Sequence, residues 1–257
     1  MTVDSRGAFT AHNIRLDDGT MTKPDAGGLL ADGSWCRSVK RLLRTLYPGG
    51  LQGKRIVDLG CLEGGYTVEF ARMGMDAVGL EVRPNNFANC RYVKERTSLP
   101  NLSFINDDAW NVGKYGVFDV VFCCGLLYHL DRPVSFVRML SGLCRKALIV
   151  NTHFATDQKS TIYNLGDLTE HEGVSGRWFF EYDPGLDAKT VTDLKWASWS
   201  NAKSFWIRRE HIANVLREAG FQSIFEQFDF MEGNLAHELI EGTYAVHHRG
   251  MFVGIKE

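Results

Sequence analysis

Short apolar runs alternate with amphipathic segments through the middle of this 257-residue chain. The runs are rich in Val, Ile, Leu, Phe and Cys, which is typical of buried strands. They predict strands at 55–59, 77–81, 102–106, 118–124 and 147–152. Helical spacing of the apolar residues between them predicts helices at about 65–73, 85–97 and 132–144. This alternation predicts an α/β fold with a doubly wound, Rossmann-like parallel sheet.

The rest of the chain departs from this rhythm. Residues 1–50 are expected to form an irregular arm, rich in Gly, Asp and Thr, followed by a helix at 35–47. Residues 154–204 are rich in aromatic residues without clear periodicity, which predicts a lid or binding loop inserted after the fifth strand. The chain then resumes with a helix and two strands, at 209–219, 223–230 and 250–255. A single domain over residues 1–257 accommodates all of these segments.

The first predicted strand is followed by a glycine-rich loop, Asp58-Leu59-Gly60-Cys61-Leu62-Glu63-Gly64-Gly65. A strand, a tight turn and a helix N-terminus in this order bring backbone N–H groups close to a ligand. A nucleoside triphosphate P-loop is excluded, because it needs Lys followed by Ser or Thr after the glycines. A dinucleotide site prefers a glycine at the position of Leu62. The loop therefore favours a nucleoside cofactor without a pyrophosphate.

Acidic residues stand at the ends of successive predicted strands, where the ligand of such a sheet lies. Asp58 lies near the end of the first strand, Glu81 ends the second and Asp108 follows the third. A carboxylate after the second strand is well placed to accept hydrogen bonds from ribose hydroxyls. S-adenosylmethionine (SAM) carries no phosphate and needs an acid at the first strand end, an acid for its ribose and a group for its adenine. Asp58, Glu81 and Asp108-Ala109 supply these groups in that order.

Together with these acids, the stretch from Asp58 to Gly64 resembles the first motif of class I SAM-dependent methyltransferases. The resemblance covers roughly residues 50–155 and 205–257, and it departs from the family at Leu62, where glycine is common. It implies a seven-stranded doubly wound sheet whose last strand is antiparallel, with SAM as the cofactor.

The resemblance also implies roles at the adenosine end of the cofactor. Glu81 would bind the ribose hydroxyls. Asp108 would accept a hydrogen bond from the adenine amino group, and the N–H of Ala109 would meet a ring nitrogen.

Further roles follow at the methionine end. Gly60 and Cys61 would approach the methionine portion, and Asp58 would orient this loop or meet the ammonium group through water. The fourth strand ends at Cys124 and Gly125, which complete the predicted cofactor site.

Four residues are candidates for the chemistry on the acceptor. His129 follows the fourth strand. His153 follows the fifth, where a core-packing explanation is poor, and is the stronger candidate of the two. A hydroxyl acceptor must lose its proton, and histidine suits the role of base near neutral pH. Glu170 and His171 in the predicted lid could add polar groups or, with His153, bind a divalent cation such as Mg²⁺. Dispersed surface histidines without a metal are the alternative, because their spacing has no metal-site signature.

The predicted lid indicates the class of acceptor. Trp178, Trp196 and Trp199 stand among polar residues, Glu181 included, and flat rings beside hydrogen-bonding side chains suit a sugar or a nucleobase. The sequence therefore predicts an O-methyltransferase for a hydroxylated small molecule or saccharide. N- or C-methylation of a small metabolite is an alternative, and a SAM-binding protein without catalysis is another.

A second resemblance is local. Tyr128-His129-Leu130 followed by Ser204-Phe205-Trp206-Ile207, and a helix that ends in Ala219-Gly220-Phe221, is similar to the tRNA wobble-uridine carboxymethyltransferase family. Residues 1–50 are not expected to form the basic N-terminal domain of a tRNA-binding member, so the sequence favours a small or oligomeric hydroxylated acceptor over tRNA.

Composition adds few constraints. The net charge of −2 gives no global field that would attract nucleic acid. The six cysteines have no Cys-x-x-Cys spacing and several lie in apolar runs, which favours reduced thiols and a cytoplasmic protein. No apolar run is long enough to cross a membrane, and no secretory leader is expected. The oligomeric state is open, a homo-oligomer included.

Overall fold

The computed structural model describes residues 8–257. Their strands, in chain order, are β1 (Arg55–Leu59), β2 (Asp76–Leu80), β3 (Leu102–Ile105), β4 (Phe118–Cys124), β5 (Cys144–His153), β6 (Leu165–His171), β7 (Val174–Phe180), β8 (Lys203–Ile207), β9 (Ser223–Gln227) and β10 (Arg249–Ile255). The helices are α1 (Ser34–Leu46), α2 (Gly65–Arg72), α3 (Pro84–Glu95), α4 (Pro133–Leu143), α5 (Ala188–Asp193), α6 (Arg209–Glu218), α7 (Leu235–Ile240) and α8 (Thr243–His247).

The strands form two sheets. The larger sheet has seven strands in the order β3-β2-β1-β4-β5-β10-β9, and the smaller has the order β6-β7-β8. β10 runs antiparallel to both β5 and β9, which confirms the α/β fold with an antiparallel last strand. The chain divides into two compact units, the first ending at Phe122 and the second beginning at Cys123. Among residues 8–257, none of the helices is long and apolar enough to cross a membrane.

In the first unit, parallel strands carry the glycine-rich loop. β1 pairs with β2, and β2 pairs with β3. The β1 side chains Ile56, Val57 and Leu59 are fully buried, as expected of a parallel strand covered on both faces. A Cβ atom added to Gly79 of β2 would lie 2.8 Å from the Cys61 Sγ atom. Glycine at this position therefore lets the loop after β1 pack directly against β2.

The first unit also contains the N-terminal arm. The described part of the arm has an isolated β-bridge between Arg15 and Met21, and a short 3₁₀ helix at Leu30–Asp32 precedes α1. α1 agrees with the helix predicted at 35–47. Residues 1–7 of the predicted arm lie outside the described residues.

Residues 154–204 contain more regular structure than the sequence indicated. β6 and β7 form an antiparallel hairpin, and β8 pairs with β7. The lack of clear periodicity in the sequence has a physical cause in β6, where residues 167–170 are all exposed and give no alternation of apolar and polar positions. The role of this segment as a lid stays a prediction.

The C-terminal part differs from the expectation in detail. β9 ends at Gln227, before the predicted boundary at 230, and α7 and α8 occupy part of the connection to β10. The helices are six and five residues long, too short for a clear helical period.

The turn of the β6–β7 hairpin depends on a long-range contact. Glu172 and Gly173 are its two central residues, and both have positive φ, at 52° and 80°. Such two-residue turns favour Asn or Gly at the first position. The Glu172 carboxylate accepts hydrogen bonds from the backbone N–H groups of Val134 and Ser135, at 2.8 and 3.0 Å. It thereby caps the first turn of α4, where backbone donors have no partner within the helix.

We expect the Glu172→Gly substitution to lower the free energy of unfolding by about 1 kcal/mol, the usual loss when a helix cap is removed. Glycine relieves the left-handed backbone of residue 172 but leaves the two donors of α4 without their carboxylate. Urea unfolding of the variant and of the wild type measures the difference. A more stable variant would mean that the local preference of the turn outweighs the cap.

Candidate active site

The loop between β1 and α2 has an alternating backbone conformation. Gly60, Leu62 and Gly64 have positive φ angles of 65°, 57° and 81°. A left-handed conformation costs a residue with a side chain roughly 1–2 kcal/mol, which Gly60 and Gly64 avoid. Leu62 therefore stands in a conformation that suits glycine, the residue common at this position in the family that the motif resembles. Its position must be held by contacts outside the loop.

Glu81 provides one of these contacts. This residue directly follows β2 and is only 4% exposed. Its Oε2 atom accepts the N–H of Leu62 at 2.9 Å, and its Oε1 atom accepts the N–H of Arg83 at 2.8 Å. Burial raises the pKa of the Glu81 carboxyl above its ordinary value, against the effect of these hydrogen bonds. The Asn86 side-chain amide also donates to Oε1, at 3.4 Å. A carboxylate has about four acceptor positions, so Glu81 retains capacity for about one hydroxyl donor.

Asp58 is the buried acid of β1. Its Oδ2 atom accepts a hydrogen bond from the Thr67 hydroxyl of α2 at 2.7 Å. Burial raises the pKa of Asp58 from 3.8 to about 7. Of the two roles expected for Asp58, the contact with Thr67 fits orientation of the loop and the helix that follows it.

The other predicted cofactor residues of the first unit lie near the ends of β1 and β3. Asp108 accepts the N–H of Trp110 at 2.9 Å and caps a short 3₁₀ helix that begins at Ala109. Cys61 donates its N–H to the Leu80 carbonyl at 2.9 Å. Its thiol is buried and its N–H is already paired, so Cys61 can offer a ligand only its carbonyl oxygen.

In the second unit, Gly125 ends the turn after β4. It has a φ of 76° and donates its N–H to the Asn151 carbonyl at 2.9 Å. A Cβ atom at this position would lie 3.5 Å from Arg249 Nη2 and 3.7 Å from the Tyr128 hydroxyl. The preceding residue, Cys124, is partly exposed. Gly125 is thus surrounded by polar groups at the carboxyl end of β4.

His129 forms a dyad with a carboxylate. Its Nδ1 atom lies 2.9 Å from Oε1 of Glu181, whose side chain is 1% exposed. Glu181 also accepts the N–H of Ser198 at 2.9 Å and the hydroxyl of Ser204 at 2.7 Å. A carboxylate on Nδ1 fixes the tautomer that has its lone pair on Nε2. The sequence interpretation placed Glu181 only among the polar neighbours of the tryptophans, although an acid directly after the apolar residues 178–180 was a usable signal.

The main chain around His129 is fixed as well. The indole N–H of Trp206 donates to the Tyr128 carbonyl at 3.0 Å, and the Asn201 side-chain amide donates to the His129 carbonyl at 3.0 Å. Both donors lie far along the chain from the short 3₁₀ helix at Leu127–His129 that they hold. The imidazole is therefore positioned through both its ring and its backbone.

His153 has surroundings that the sequence did not indicate. Its ring is stacked on Trp206, with centroids 4.9 Å apart, and meets the edges of Tyr128 and Tyr163. Its Nδ1–H donates to the His247 carbonyl at 2.7 Å. Burial, together with the charge of Arg249, lowers the pKa of His153 from 6.5 to about 3. The expectation that packing explains His153 poorly was wrong, and so low a pKa makes it a weak base.

Glu170 and His171 have separate environments. Glu170 is exposed on β6. The Nε2 atom of His171 is 2.8 Å from the Asp131 carbonyl, and its ring packs against Trp178 and Phe205. These contacts make His171 a support of the smaller sheet. They do not favour the expected role of His171 as a catalytic group of the lid.

The described residues also bear on the predicted metal. Nowhere in residues 8–257 do three His, Cys, Asp or Glu side chains form a group suited to a metal ion. His153 faces aromatic rings and the His247 carbonyl, and His171 faces the Asp131 carbonyl. The donor set predicted for a divalent cation such as Mg²⁺ therefore does not fit one.

The tryptophans of the predicted lid differ in exposure. Trp196 is 63% exposed, whereas Trp178 and Trp199 are half-buried. The Lys203 Nζ atom lies 4.4 Å from the centroid of the Trp178 ring, a cation–π contact. Trp196 is thus the ring best placed to meet a ligand from solvent.

A family model described as a methyltransferase domain matches residues 30–227, which is most of the chain. The chain belongs to this methyltransferase family. The match confirms the prediction of a class I SAM-dependent methyltransferase, with SAM as its cofactor.

Curated relatives match shorter segments. The chain is 32% identical to the tRNA U34 carboxymethyltransferase of Azotobacter vinelandii over 126 residues, which is 46% of this chain and 37% of the relative. It is 28% identical to the ubiquinone biosynthesis O-methyltransferase of Acinetobacter baumannii over 99 residues, 38% of this chain and 42% of the relative. The chain thus spans less than half the length of these relatives.

Solved structures are similar over more of the chain. The N-terminal domain of EvdMO1, crystallised in the presence of S-adenosylhomocysteine (SAH) and D-fucose, has a TM-score of 0.66 and 22% identity, over 98% of this chain and 91% of that one. The magnesium protoporphyrin IX methyltransferase of Synechocystis, with bound SAM, has a TM-score of 0.54 and 15% identity, over 87% and 80% of the chains. At these identities the structures support the fold.

The low pKa of His153 predicts how stability depends on pH. An unfolded chain protonates this histidine near 6.5, whereas the folded protein does so only near 3. At this residue the unfolded state therefore binds more protons between these values, so the contribution of His153 to the free energy of unfolding falls as the pH is lowered through this window. We expect the difference in the free energy of unfolding between the wild type and His153→Asn to shift against the wild type from pH 7 to pH 4, measured by urea unfolding of both proteins. Parallel curves for the variant and the wild type would contradict the assigned environment.

Proposed function

We propose that this enzyme transfers the methyl group of SAM to a hydroxyl of a small-molecule or saccharide acceptor, with His129 as the general base. The observation that carries the proposal is the contact between His129 and the buried Glu181. A His–carboxylate pair of this kind orients the imidazole and stabilises the imidazolium formed on proton uptake. Hydroxyl acceptors need such a base, and a positioned base contributes about 10²–10⁴-fold to the rate.

The surroundings of Glu181 support this role. The Ser198 N–H and the Ser204 hydroxyl donate to the carboxylate, which stabilises its charge although the side chain is buried. With Nδ1–H directed at Glu181, Nε2 of His129 takes the proton of the acceptor hydroxyl. Bound SAM supplies an electrophilic methyl group, which passes to the acceptor oxygen as the bond between the methyl carbon and sulfur breaks and SAH forms. The proton remains on the imidazole, beside the carboxylate, until it is released to solvent.

For the cofactor, we assign the roles implied by the motif. The Glu81 carboxylate keeps acceptor capacity for a ribose hydroxyl beside its three protein donors. Asp108 and the N–H of Ala109 serve the adenine ring. The main chain of Gly60 and Cys61 meets the methionine portion.

The end of the fourth strand completes this assignment. Cys124 and Gly125 are assigned to the cofactor with the residues above. Gly125 has no side chain beside the Arg249 guanidinium and the Tyr128 hydroxyl, which leaves room for a ligand atom there.

A saccharide is the favoured class of acceptor. The exposed ring of Trp196 offers a flat apolar surface beside polar side chains, a combination that suits a sugar. The crystals of the EvdMO1 domain grown with SAH and D-fucose support the same class, at 22% identity.

Alkyl transfer to tRNA is the second candidate. The relative from Azotobacter vinelandii favours it, although the alignment covers only 37% of that protein. Methylation of bulk tRNA, with none of a panel of saccharides and phenols, would select this candidate. A product methylated at nitrogen or carbon would select transfer to a small metabolite of that kind. Binding of SAM without any methylated product would select a protein without catalysis.

We expect His129→Ala to lower kcat about 10²–10⁴-fold, the contribution of a positioned base, with SAH affinity unchanged. Glu181→Gln should also lower kcat, because the amide no longer stabilises the imidazolium. The assay measures SAH release with the acceptor that gives the highest wild-type turnover in the panel, and calorimetry measures SAH affinity.

His171→Asn is the matched control, because His171 is also a histidine of the second unit. It supports the smaller sheet through its contact with the Asp131 carbonyl. It should keep wild-type turnover. If His129→Ala and His171→Asn turn over equally fast, His129 is not the base. Imidazole added to His129→Ala should restore part of the rate.

A further inference from the structure

The loop between β1 and α2 is bonded to the N-terminal arm by Glu63. This side chain is fully buried, and its carboxylate accepts hydrogen bonds from three consecutive backbone N–H groups of the arm. Oε1 accepts from Thr10 at 2.7 Å, and Oε2 accepts from Ala11 at 3.1 Å and His12 at 2.7 Å. Hydrogen bonds to a charged acceptor are the strong ones among protein hydrogen bonds.

His12 makes a second connection two residues further along the loop. Its Nδ1 atom accepts the N–H of Gly65, the first residue of α2, at 3.0 Å. This N–H is one of the donors that a helix leaves unpaired at its start. A Cβ atom at position 65 would lie 2.8 Å from His12 Nδ1, so the absence of a side chain there admits the imidazole.

The arm is itself a folded segment at this point. The Thr22 hydroxyl donates to the His12 carbonyl at 2.8 Å and accepts the Ile14 N–H at 2.9 Å. Asn13 donates to the Gly28 carbonyl and accepts the N–H of Lys23. Residues 10–12 are therefore presented to Glu63 by an arm with its own hydrogen bonds, rather than by a loose strand.

Along the loop, the contacts with the arm directly follow a contact with the cofactor site. Leu62 donates to Glu81, Glu63 binds the arm, and Gly65 donates to His12. Leu62 has the left-handed backbone that its side chain disfavours, so a contact on the next residue helps to hold it there. We propose that Glu63 and His12 are positioning residues, which hold this loop in the conformation that receives SAM.

This inference rests on the assignment of SAM to the loop and Glu81, but not on the acceptor or on His129. It makes the arm and the cofactor thermodynamically linked. If docking of the arm raises the affinity for SAM, then SAM must stabilise the docked arm by the same factor. The linkage distinguishes a positioning role from a contact that only adds stability.

The test uses Glu63→Gln and His12→Ala, with calorimetry of SAH binding and hydrogen exchange measured by mass spectrometry. Glu63→Gln replaces one carboxylate oxygen by an amide NH₂ group, which cannot accept hydrogen bonds from the N–H groups of the arm. We expect its SAH affinity to fall about 10- to 100-fold, the loss that follows when hydrogen bonds to a charged group are broken. His12→Ala, which removes one neutral acceptor near the surface, should weaken SAH binding about 3- to 10-fold.

In the wild type, SAH should slow exchange at the amides of residues 10–12, and this protection should be lost in Glu63→Gln. Asn101→Ala is the matched control, because Asn101 donates to the Ala71 and Met75 carbonyls of the same unit without touching the arm. It should lower stability and leave both readouts unchanged.

Wild-type SAH affinity in both variants would overturn the proposal, as would exchange at residues 10–12 that SAH does not change. If Glu63→Gln fails to fold, His12→Ala decides by the same two readouts. A loss of turnover in His129→Ala bears only on the acceptor chemistry, so the two proposals fail separately.

Discussion

A buried carboxylate must be surrounded by hydrogen-bond donors, because an unpaired charge in a protein interior is very costly. Glu81, Glu63 and Glu181 each meet this requirement with donors from distant parts of the chain. Glu81 accepts hydrogen bonds from the loop after β1, and Glu63 accepts them from the N-terminal arm. Glu181 accepts them from Ser198 and Ser204. The conformation of the cofactor loop and the orientation of His129 both depend on these three acids.

The large sheet and the cofactor loop were predictable from the sequence because their signals are local. Buried parallel strands appear as continuous apolar runs, and the acid at the end of β2 follows its run directly. The β6–β7 hairpin was not predictable in this way. Its turn contains Glu172 at a position that favours Asn or Gly, and the reason lies in the capping of α4, a contact between segments 38 residues apart.

Long-range partners also changed the order of the two candidate bases. From the sequence, His153 was the stronger candidate, since it follows β5 where a ligand is expected. The structure stacks it on Trp206, more than 50 residues later, and burial lowers its pKa to about 3. His129 instead gains Glu181, and no spacing in the sequence links these two residues. The arm's contact with Glu63 was equally hidden, because its donors are backbone groups.

We expect this SAM-dependent methyltransferase to bind its cofactor at the loop held by Glu81. A crystal structure of the enzyme with SAH would show this contact. At least one ribose hydroxyl should lie within hydrogen-bond distance of the Glu81 carboxylate, about 2.7 Å, with residues 10–12 still bonded to Glu63. A ribose bound away from Glu81 would mean that this loop does not bind the cofactor.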